Sequence, residues 1–178
     1  MQDVSAKVMQ AAGSVRMVLV DVDGVLTDGS IHIGPNGEES RSFHARDGLG
    51  VRLGQQGGLA FGIISGRSCE AVTRRSSELD FREVHQGIRD KLECFEGILA
   101  RSELSAKAVC FVGDDLVDVP IMRRVGFAAA PGDAAPEVRE AAHFVTASAG
   151  GRGALREVVE LLLRASGNWE RVTNRFLK

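Results

Sequence analysis

The residues best placed to do chemistry stand at the end of a short apolar segment. The segment 16–21 ends in Asp21, and Asp23 and Gly24 follow. It is short and rich in β-branched residues, which favours a buried parallel strand over a helix. In open α/β sheets, ligands bind just beyond the carboxyl ends of the strands. Two anions placed together there repel each other and lose hydration, so the pair indicates a bound cation, a reaction, or both.

Further polar residues follow the later apolar segments. Ser65 and Gly66 follow the predicted strand 59–64, and Lys91 begins a helix after the weaker strand 83–86. Three more carboxylates follow the predicted strand 108–112: Asp114, Asp115 and Asp118. If the sheet is parallel, these residues converge with Asp21 and Asp23 on one edge of the sheet.

These residue types suit a magnesium-dependent reaction of a phosphate. Asp21, Asp23 and Asp114 supply hard oxygen ligands, which Mg²⁺ prefers. Mg²⁺ commonly joins one or two carboxylates to a phosphate oxygen. Asp23 could also give a proton to a departing alkoxide and later take one from water.

The remaining residues of the set suit the phosphate itself. Ser65 offers a hydroxyl and Gly66 a backbone N–H to phosphate oxygens. Lys91 is a cation that offsets both the acids and an incoming phosphate, and Asp118 can hold it in place. Asp115 can accept hydrogen bonds from backbone or water. Asp115 and Asp118 could instead simply favour the N-terminus of the next helix, and for Asp115 the two roles are about even.

The pattern along the chain predicts an α/β fold of one domain over residues 1–178. Strands are expected at 16–21, 59–64, 83–86, 108–112, 126–129 and 142–145. Helices are expected between them at 47–56, 67–78, 90–101, 116–124, 135–141 and 153–164, after a short lead-in helix near residues 4–12. This alternation predicts a doubly wound, Rossmann-like parallel sheet between two layers of helices. Residues 30–43 break the alternation and predict a β-hairpin flap, with no room for a large cap domain.

Composition excludes several classes of protein. The chain has 178 residues, 44% of them hydrophobic, and a net charge of −2, which is typical of a globular domain and makes nucleic acid or an anionic membrane an unexpected partner. Its apolar segments fall short of the roughly 18 residues a membrane helix needs. The three cysteines have no CxxC spacing and indicate reduced thiols in a cytosolic setting.

Four motifs taken together resemble the haloacid dehalogenase superfamily of phosphatases. They are Asp21-x-Asp23-Gly24-Val25-Leu26-Thr27, Ser65, Lys91 and Gly113-Asp114-Asp115-x-x-Asp118, in that family's order. The resemblance implies a Rossmann-like core, Asp21 as phosphoryl acceptor, Asp23 as acid and base, and Mg²⁺ as cofactor. It also places Thr27 among the residues that bind phosphate or substrate.

A narrower resemblance points to the capless branch of that superfamily. The segments 43–50, 65–67 and 150–157 are most similar to the family of the 3-deoxy-D-manno-octulosonate 8-phosphate phosphatases. That family implies a homotetramer with hairpins (here about residues 29–43) packed centrally, and a C-terminal glycine-rich tail (here about 148–178) that reaches a neighbouring active site. It also implies a small sugar phosphate as substrate and a role in lipopolysaccharide precursor synthesis. Its substrate is an acid, for which Arg46, Arg67 and Arg152 are candidate partners and Arg46 and Arg152 are preferred.

Other functions stay open at this level. The motifs do not separate an eight-carbon from a nine-carbon sugar acid phosphate, such as a 2-keto-3-deoxynononate or neuraminate 9-phosphate. A signalling receiver domain also carries acids, a hydroxyl residue and a lysine, but its acid pair is adjacent, whereas Val22 separates Asp21 from Asp23. A scaffold with a relic site is disfavoured because the set of acids, Ser65 and Lys91 is complete.

Overall fold

The core is a six-stranded parallel sheet. A computed structural model describes residues 5–177. The strands are β1 (Met17–Val20), β4 (Ala60–Ile64), β5 (Glu83–His85), β6 (Val109–Val112), β7 (Phe127–Ala130) and β8 (Phe144–Val145), in the spatial order β5-β4-β1-β6-β7-β8. All five pairings are parallel. Strand β1 lies between β4 and β6, so the residues that follow these three strands meet at one edge.

Helices cover both faces of the sheet. They are α1 (Ala6–Gly13), α2 (Ala45–Gln56), α3 (Glu70–Glu78), α4 (Lys91–Ser102), α5 (Val119–Met122), α6 (Pro136–Ala141), α7 (Ala154–Ala165) and α8 (Trp169–Thr173). Val18 and Val20 of β1 face a cluster that includes residues of α2 and α7, whereas Leu19 faces a second cluster with residues of α4 and α5. Because successive side chains of a strand point to opposite faces, one fully buried strand serves both clusters. The three-layer α/β/α fold predicted from the sequence is confirmed.

The flap is a short hairpin. Its strands β2 (His32–Ile33) and β3 (Glu39–Ser40) pair antiparallel and have only two residues each, fewer than the predicted segments 30–33 and 38–43. The shortening has two causes: Asp28 accepts from the backbone of Ser30 at 3.1 Å and bends the chain before β2, and Arg41 turns inward after β3. Residues 29–43 are called the flap below.

Several boundaries differ from the predictions for identifiable reasons. The predicted helix 67–78 begins only at Glu70, after the turn at Ser65. The predicted helix 116–124 is a short 3₁₀ turn (Leu116–Asp118) followed by α5, whose second residue is Pro120. Proline has no N–H to donate, so it fits the first turn of a helix and not its interior.

The C-terminal region was expected to be a tail but is mostly packed on the domain. Helix α7 buries seven residues, and α8 buries Val172 and Thr173. Trp169 lies beneath Arg164, whose guanidinium carbon is 4.5 Å from the ring centroid. The sequence after Gly167 is polar and short, so its helical structure depends on these contacts. Within residues 5–177 no helix is both long and apolar enough to cross a membrane.

Candidate active site

The loop after β1 folds around the side chain of Thr27. The Thr27 hydroxyl donates to the carbonyl of Val22 at 3.3 Å and accepts from the amides of Gly24 at 3.4 Å and Gly29 at 3.2 Å. Thr27 is fully buried. These bonds hold the loop that carries Asp21, so the structure gives Thr27 a role in shaping the loop. The binding of phosphate or substrate by Thr27 stays a prediction.

Gly24 brings the first loop close to the loop after β6. Its φ is +97°, a conformation that favours glycine. A Cβ at this position would lie 2.0 Å from Oδ2 of Asp114. A glycine here therefore lets the Asp114 carboxylate approach the loop of Asp21.

Lys91 connects two of the predicted acids. It begins α4, is almost fully buried, and its Nζ lies 2.9 Å from Oδ1 of Asp21 and 2.8 Å from Oδ1 of Asp118. Asp90 caps the helix by accepting from the amide of Glu93 at 3.0 Å, as the sequence predicts. Burial by itself lowers the pKa of an ammonium, but the two carboxylates outweigh it and the pKa of Lys91 is raised. Lys91 therefore remains charged.

Asp118 is a fully buried positioning residue. Its Oδ2 accepts from the amides of Asp114 at 3.0 Å and Asp115 at 3.4 Å, while Oδ1 binds Lys91. Asp115 in turn accepts from the amide of Leu116 at 2.7 Å and forms a reciprocal capping box with Asp118. The loop after β6 is thereby held by its own carboxylates, in line with the supporting roles expected for both residues.

One group of acids has the geometry to hold a cation. Carboxylate oxygens of Asp21, Asp114 and Asp118 lie within 4.8 Å of one another. Oδ1 of Asp114 is buried and has no hydrogen-bond partner among residues 5–177. A buried carboxylate oxygen without a donor is costly, and a hard cation would satisfy it. Lys91 and backbone amides engage both oxygens of Asp118, whereas Lys91 engages one oxygen of Asp21, so Asp21 and Asp114 are the acids that could hold Mg²⁺.

The crowding of these acids changes their acidity. Burial, with the nearby charge of Asp118, raises the pKa of Asp21 to about 6, although Lys91 opposes the shift. Burial, with the charges of Asp21 and Asp118, raises the pKa of Asp114 to about 8. Both shifts mean that the ionised site lacks enough positive charge by itself. A divalent cation would supply it.

The structure does not bring the Asp23 carboxylate into this group. Oδ1 of Asp23 instead accepts from Nε of Arg41 at 2.6 Å. The Arg41 side chain is 1% exposed and also binds Glu39, which accepts from Arg67 at 2.7 Å. The Asp23 carboxylate thus faces Arg41 of the flap, and the metal-ligand role of Asp23 stays a prediction.

Sequence reasoning missed Arg41 and Glu39. A charged residue in a hairpin is ordinarily solvated, and no spacing in the sequence marks Arg41 as buried. The alternation Glu39-Ser40-Arg41 puts both charges on one face of an extended segment. That pattern is the local signal that could have indicated an ion pair between Glu39 and Arg41.

Ser65 and Gly66 lie at the carboxyl end of β4, beside the first loop. Ser65 is buried, and its Oγ accepts from the amide of Arg67 at 3.3 Å. The amide of Ser65 donates to His85 of the neighbouring strand at 2.9 Å. The turn is thus fixed at both ends, and the N-cap residue of α3 is Cys69.

The glycine segment 150–153 packs on the first loop of the same chain. The amide of Gly151 donates to the carbonyl of Val25 at 2.9 Å. A Cβ on Gly150 would lie 1.8 Å from the carbonyl oxygen of Gly24, so only glycine fits this approach. Buried Asp47 accepts from the amides of Gly153 at 3.2 Å and Arg156 at 2.8 Å, which caps α7 from the first turn of α2.

The three candidate arginines lie on different segments of the chain. Arg46 is exposed in the first turn of α2, and Arg152 is exposed and lies 3.3 Å from Asp28. Arg67 is half exposed and is paired with Glu39. Arg152 thus lies beside the loop after β1 and Arg67 in the loop after β4, whereas Arg46 is exposed at the start of α2.

Comparison with known proteins identifies the family of the chain. Residues 73–157 match the family model of haloacid dehalogenase-like hydrolases. The chain is 44% identical over 164 residues to 3-deoxy-D-manno-octulosonate 8-phosphate phosphatase KdsC of Escherichia coli (strain B / BL21-DE3), covering 92% of this chain and 87% of the relative.

Two crystal structures share the fold closely. A probable YrbI family phosphatase from Pseudomonas syringae pv. phaseolica 1448a superposes with a TM-score of 0.95 at 40% identity, over 98% of this chain and 99% of that one. A 3-deoxy-D-manno-octulosonate 8-phosphate phosphatase from Moraxella catarrhalis, in complex with a magnesium ion, a phosphate ion and KDO, superposes with a TM-score of 0.93 at 34% identity, over 96% and 98%. The chain belongs to the haloacid dehalogenase-like hydrolases and, among them, to the family of the 3-deoxy-D-manno-octulosonate 8-phosphate phosphatases.

Proposed function

We propose that this chain is a magnesium-dependent phosphatase that hydrolyses 3-deoxy-D-manno-octulosonate 8-phosphate to the free sugar acid and phosphate. The observation that carries the proposal is the contact of buried Lys91 with both Asp21 and Asp118, next to the open oxygen of Asp114. Folding by itself has no use for three acids crowded at one edge. The family relationship supplies the substrate class.

Asp21 is the nucleophile in the first step. Its carboxylate attacks phosphorus, the bond from phosphorus to the sugar oxygen breaks, and an aspartyl-phosphate forms. Asp23 gives a proton to the departing sugar oxygen, so that the leaving group departs as an alcohol. Lys91, Ser65 and the amide of Gly66 stabilise the negative charge on the transferring oxygens.

Water completes the reaction in the second step. Asp23, now ionised, takes a proton from a water molecule, which attacks phosphorus and releases phosphate from Asp21. Asp118 holds Lys91 and the loop of Asp114 in place throughout. Mg²⁺, bound by Asp21 and Asp114, supplies positive charge that offsets the acids and the phosphate.

The substrate carboxylate needs a cation at the mouth of the site. A guanidinium group binds a carboxylate through two parallel hydrogen bonds. Arg46 and Arg152 are our choices because both are exposed, and Arg152 lies beside Asp28 of the loop after β1.

The biological setting follows from the same family relationship. We place the enzyme in the cytoplasm, in the synthesis of the lipopolysaccharide inner core, as a homotetramer with the flaps at its centre. Ile31 and Ile33 of the flap are exposed, at 40% and 68%, which fits a surface that another subunit covers. A neighbour's C-terminal region would then take the place of a cap domain.

Release of inorganic phosphate tests the proposal. The purified chain with Mg²⁺ should hydrolyse the eight-carbon 8-phosphate with a higher kcat/KM than 2-keto-3-deoxynononate 9-phosphate or neuraminate 9-phosphate. EDTA should abolish the activity, and added Mg²⁺ should restore it. A preference for a nine-carbon substrate would replace the substrate assignment. Stoichiometric phosphorylation without turnover of p-nitrophenyl phosphate would indicate a receiver domain instead.

A further inference from the structure

We propose that Arg41 is a positioning residue for the reaction, which acts by holding the carboxylate of Asp23 and coupling its position to the flap. The inference deepens the proposed function and rests on it for the role of Asp23. None of the four motifs includes Arg41, yet its guanidinium joins the flap to the loop after β1.

All three guanidinium nitrogens of Arg41 form hydrogen bonds. Its Nε donates to Oδ1 of Asp23 at 2.6 Å, Nη2 donates to Glu39 at 3.0 Å, and Nη1 donates to the carbonyl of Ser40 at 3.1 Å. Each guanidinium nitrogen therefore has an acceptor. A buried arginine with this set of partners is held in a single orientation, because losing any contact would leave a charge unsatisfied.

The cation is buried more deeply than its partners. The side chain of Arg41 is 1% exposed, against 19% for Asp23 and 25% for Glu39. In such surroundings charge is screened weakly, so the pair with Asp23 is stronger than a surface ion pair. Burial by itself lowers the pKa of a guanidinium, but the contacts with Asp23 and Glu39 outweigh it and the pKa of Arg41 is raised. Arg41 is therefore a permanent charge.

The chain of ion pairs connects the flap to two loops of the site. Asp23 lies in the loop after β1, Arg41 and Glu39 lie in the flap, and Arg67 lies in the loop after β4. Glu39 accepts from Arg41 through Oε2 and from Arg67 through Oε1. A displacement of the flap would thus move the partner of Asp23.

The contact leaves part of Asp23 free for chemistry. It uses Oδ1, while Oδ2 takes part in none of the side-chain hydrogen bonds found among residues 5–177. One oxygen is anchored and the other can face a leaving group or a water. Proton transfer depends steeply on such placement, and a shift of about 1 Å can cost about 10²-fold in rate.

A double-mutant cycle on kcat tests the coupling. The variants are Arg41→Lys, Asp23→Asn and the combination, measured with the sugar 8-phosphate and with p-nitrophenyl phosphate. Lysine keeps the charge but cannot reproduce the fork of contacts. We expect Arg41→Lys to lower kcat by about 10- to 100-fold with little change in KM, and to lower it far less in the Asp23→Asn background. The loss should be larger for the sugar phosphate, because p-nitrophenolate departs without a proton.

A matched control separates positioning from packing. Arg101→Lys alters an arginine in the last turn of α4 that pairs with Glu83 at 3.3 Å, at the start of β5 and so at the opposite edge of the sheet from the site. It should leave kcat unchanged, and thermal unfolding of each variant reports folding. If Arg41→Lys does not fold, Glu39→Gln replaces it in the cycle, because it loosens Arg41 without touching Asp23.

The outcomes are distinguishable. If Arg41→Lys lowers kcat by the same factor in the wild-type and the Asp23→Asn backgrounds, Arg41 has no positioning role. A wild-type kcat in Arg41→Lys would also overturn it. Failure of the wild-type chain to hydrolyse the sugar phosphate would overturn the proposed substrate. In that case the cycle read with p-nitrophenyl phosphate still decides the role of Arg41.

Discussion

The ammonium of Lys91 lies 2.8 Å from the carboxylate of Asp118, a residue 27 positions later that is fully buried. The contact joins the start of α4 to the loop after β6. Lys91 also lies 2.9 Å from Asp21, so a single cation sets the spacing between the candidate nucleophile and the loop that carries Asp114.

Asp118→Asn should destabilise the protein and reduce its activity. The change leaves Lys91 with one carboxylate in place of two and weakens acceptance from the amides of Asp114 and Asp115. Breaking a buried ion pair costs about 3–5 kcal/mol of stability. We expect the free energy of unfolding to fall by an amount near the lower limit, because Asp21 remains as a partner of Lys91. Urea unfolding measures it. Asp115→Asn, in the same loop but exposed, should cost less than half as much; equal losses would contradict the argument.

Asp21→Asn should abolish phosphate release without destabilising the metal-free protein. The amide cannot form the acyl-phosphate. Because burial and Asp118 raise the pKa of Asp21, ionisation of this group opposes folding. The melting temperature in EDTA should therefore stay the same or rise. Asp80→Asn, at an exposed ion pair with Arg52, serves as a control with wild-type activity. Phosphate release by Asp21→Asn at the wild-type rate would refute the assignment of Asp21 as the nucleophile.

Gly151→Ala should show that the glycine segment supports the first loop. Its φ is +59°, and a Cβ would lie 2.4 Å from the carbonyl carbon of Thr27. We expect the free energy of unfolding to fall by about 1–2 kcal/mol because of the backbone conformation and by about 1–3 kcal/mol more because of the clash. The kcat should fall as well. Gly37→Ala is the matched control, since its φ is +81° but no atom lies within 4 Å. Equal destabilisation of the two variants would remove the packing role.

Stability without metal should fall as pH rises. In the unfolded chain these carboxyls lose their protons near pH 3.8, whereas in the folded protein the pKa of Asp21 is about 6 and that of Asp114 about 8. Between pH 4 and 8 the folded state binds more protons, so its stability decreases with pH. Mg²⁺ favours the ionised carboxylates and should flatten this dependence.

Denaturant unfolding at several pH values, with EDTA and with Mg²⁺, checks this expectation. Asp114→Asn removes the group with the larger shift, so it should flatten the profile in EDTA as well. The same pH dependence with and without Mg²⁺ would argue against a metal at Asp21 and Asp114.

Arg46→Ala should weaken binding of the sugar phosphate with turnover retained. Loss of hydrogen bonds to a charged group costs about 1.5–3 kcal/mol, so KM should rise about 10- to 100-fold. The KM for p-nitrophenyl phosphate, which has no carboxylate, should not change. Arg152→Ala, measured alongside, tests the second choice. Unchanged kinetics in both variants would leave Arg67 as the remaining candidate.

Much of the fold was predictable because it depends on local pattern. Buried β-branched segments predicted the six strands to within a few residues, and Asp90 marked the start of α4. The parallel order then brought Asp21, Ser65, Lys91 and Asp114 to one edge. Helix α8 and the short flap strands were not predictable, since both depend on contacts with distant parts of the chain.

The sequence by itself determined the candidates for the chemistry and where on the sheet they lie. Residue type sets hardness, charge and acidity, and strand order follows from periodicity and connection rules. Only the tertiary structure decided how the set divides: Asp118 binds Lys91, Thr27 closes its own loop, and Asp23 turns to Arg41. The division depends on ångström distances and on burial, because the same carboxylate is a ligand, an anchor or an ion-pair partner according to the nearest donor.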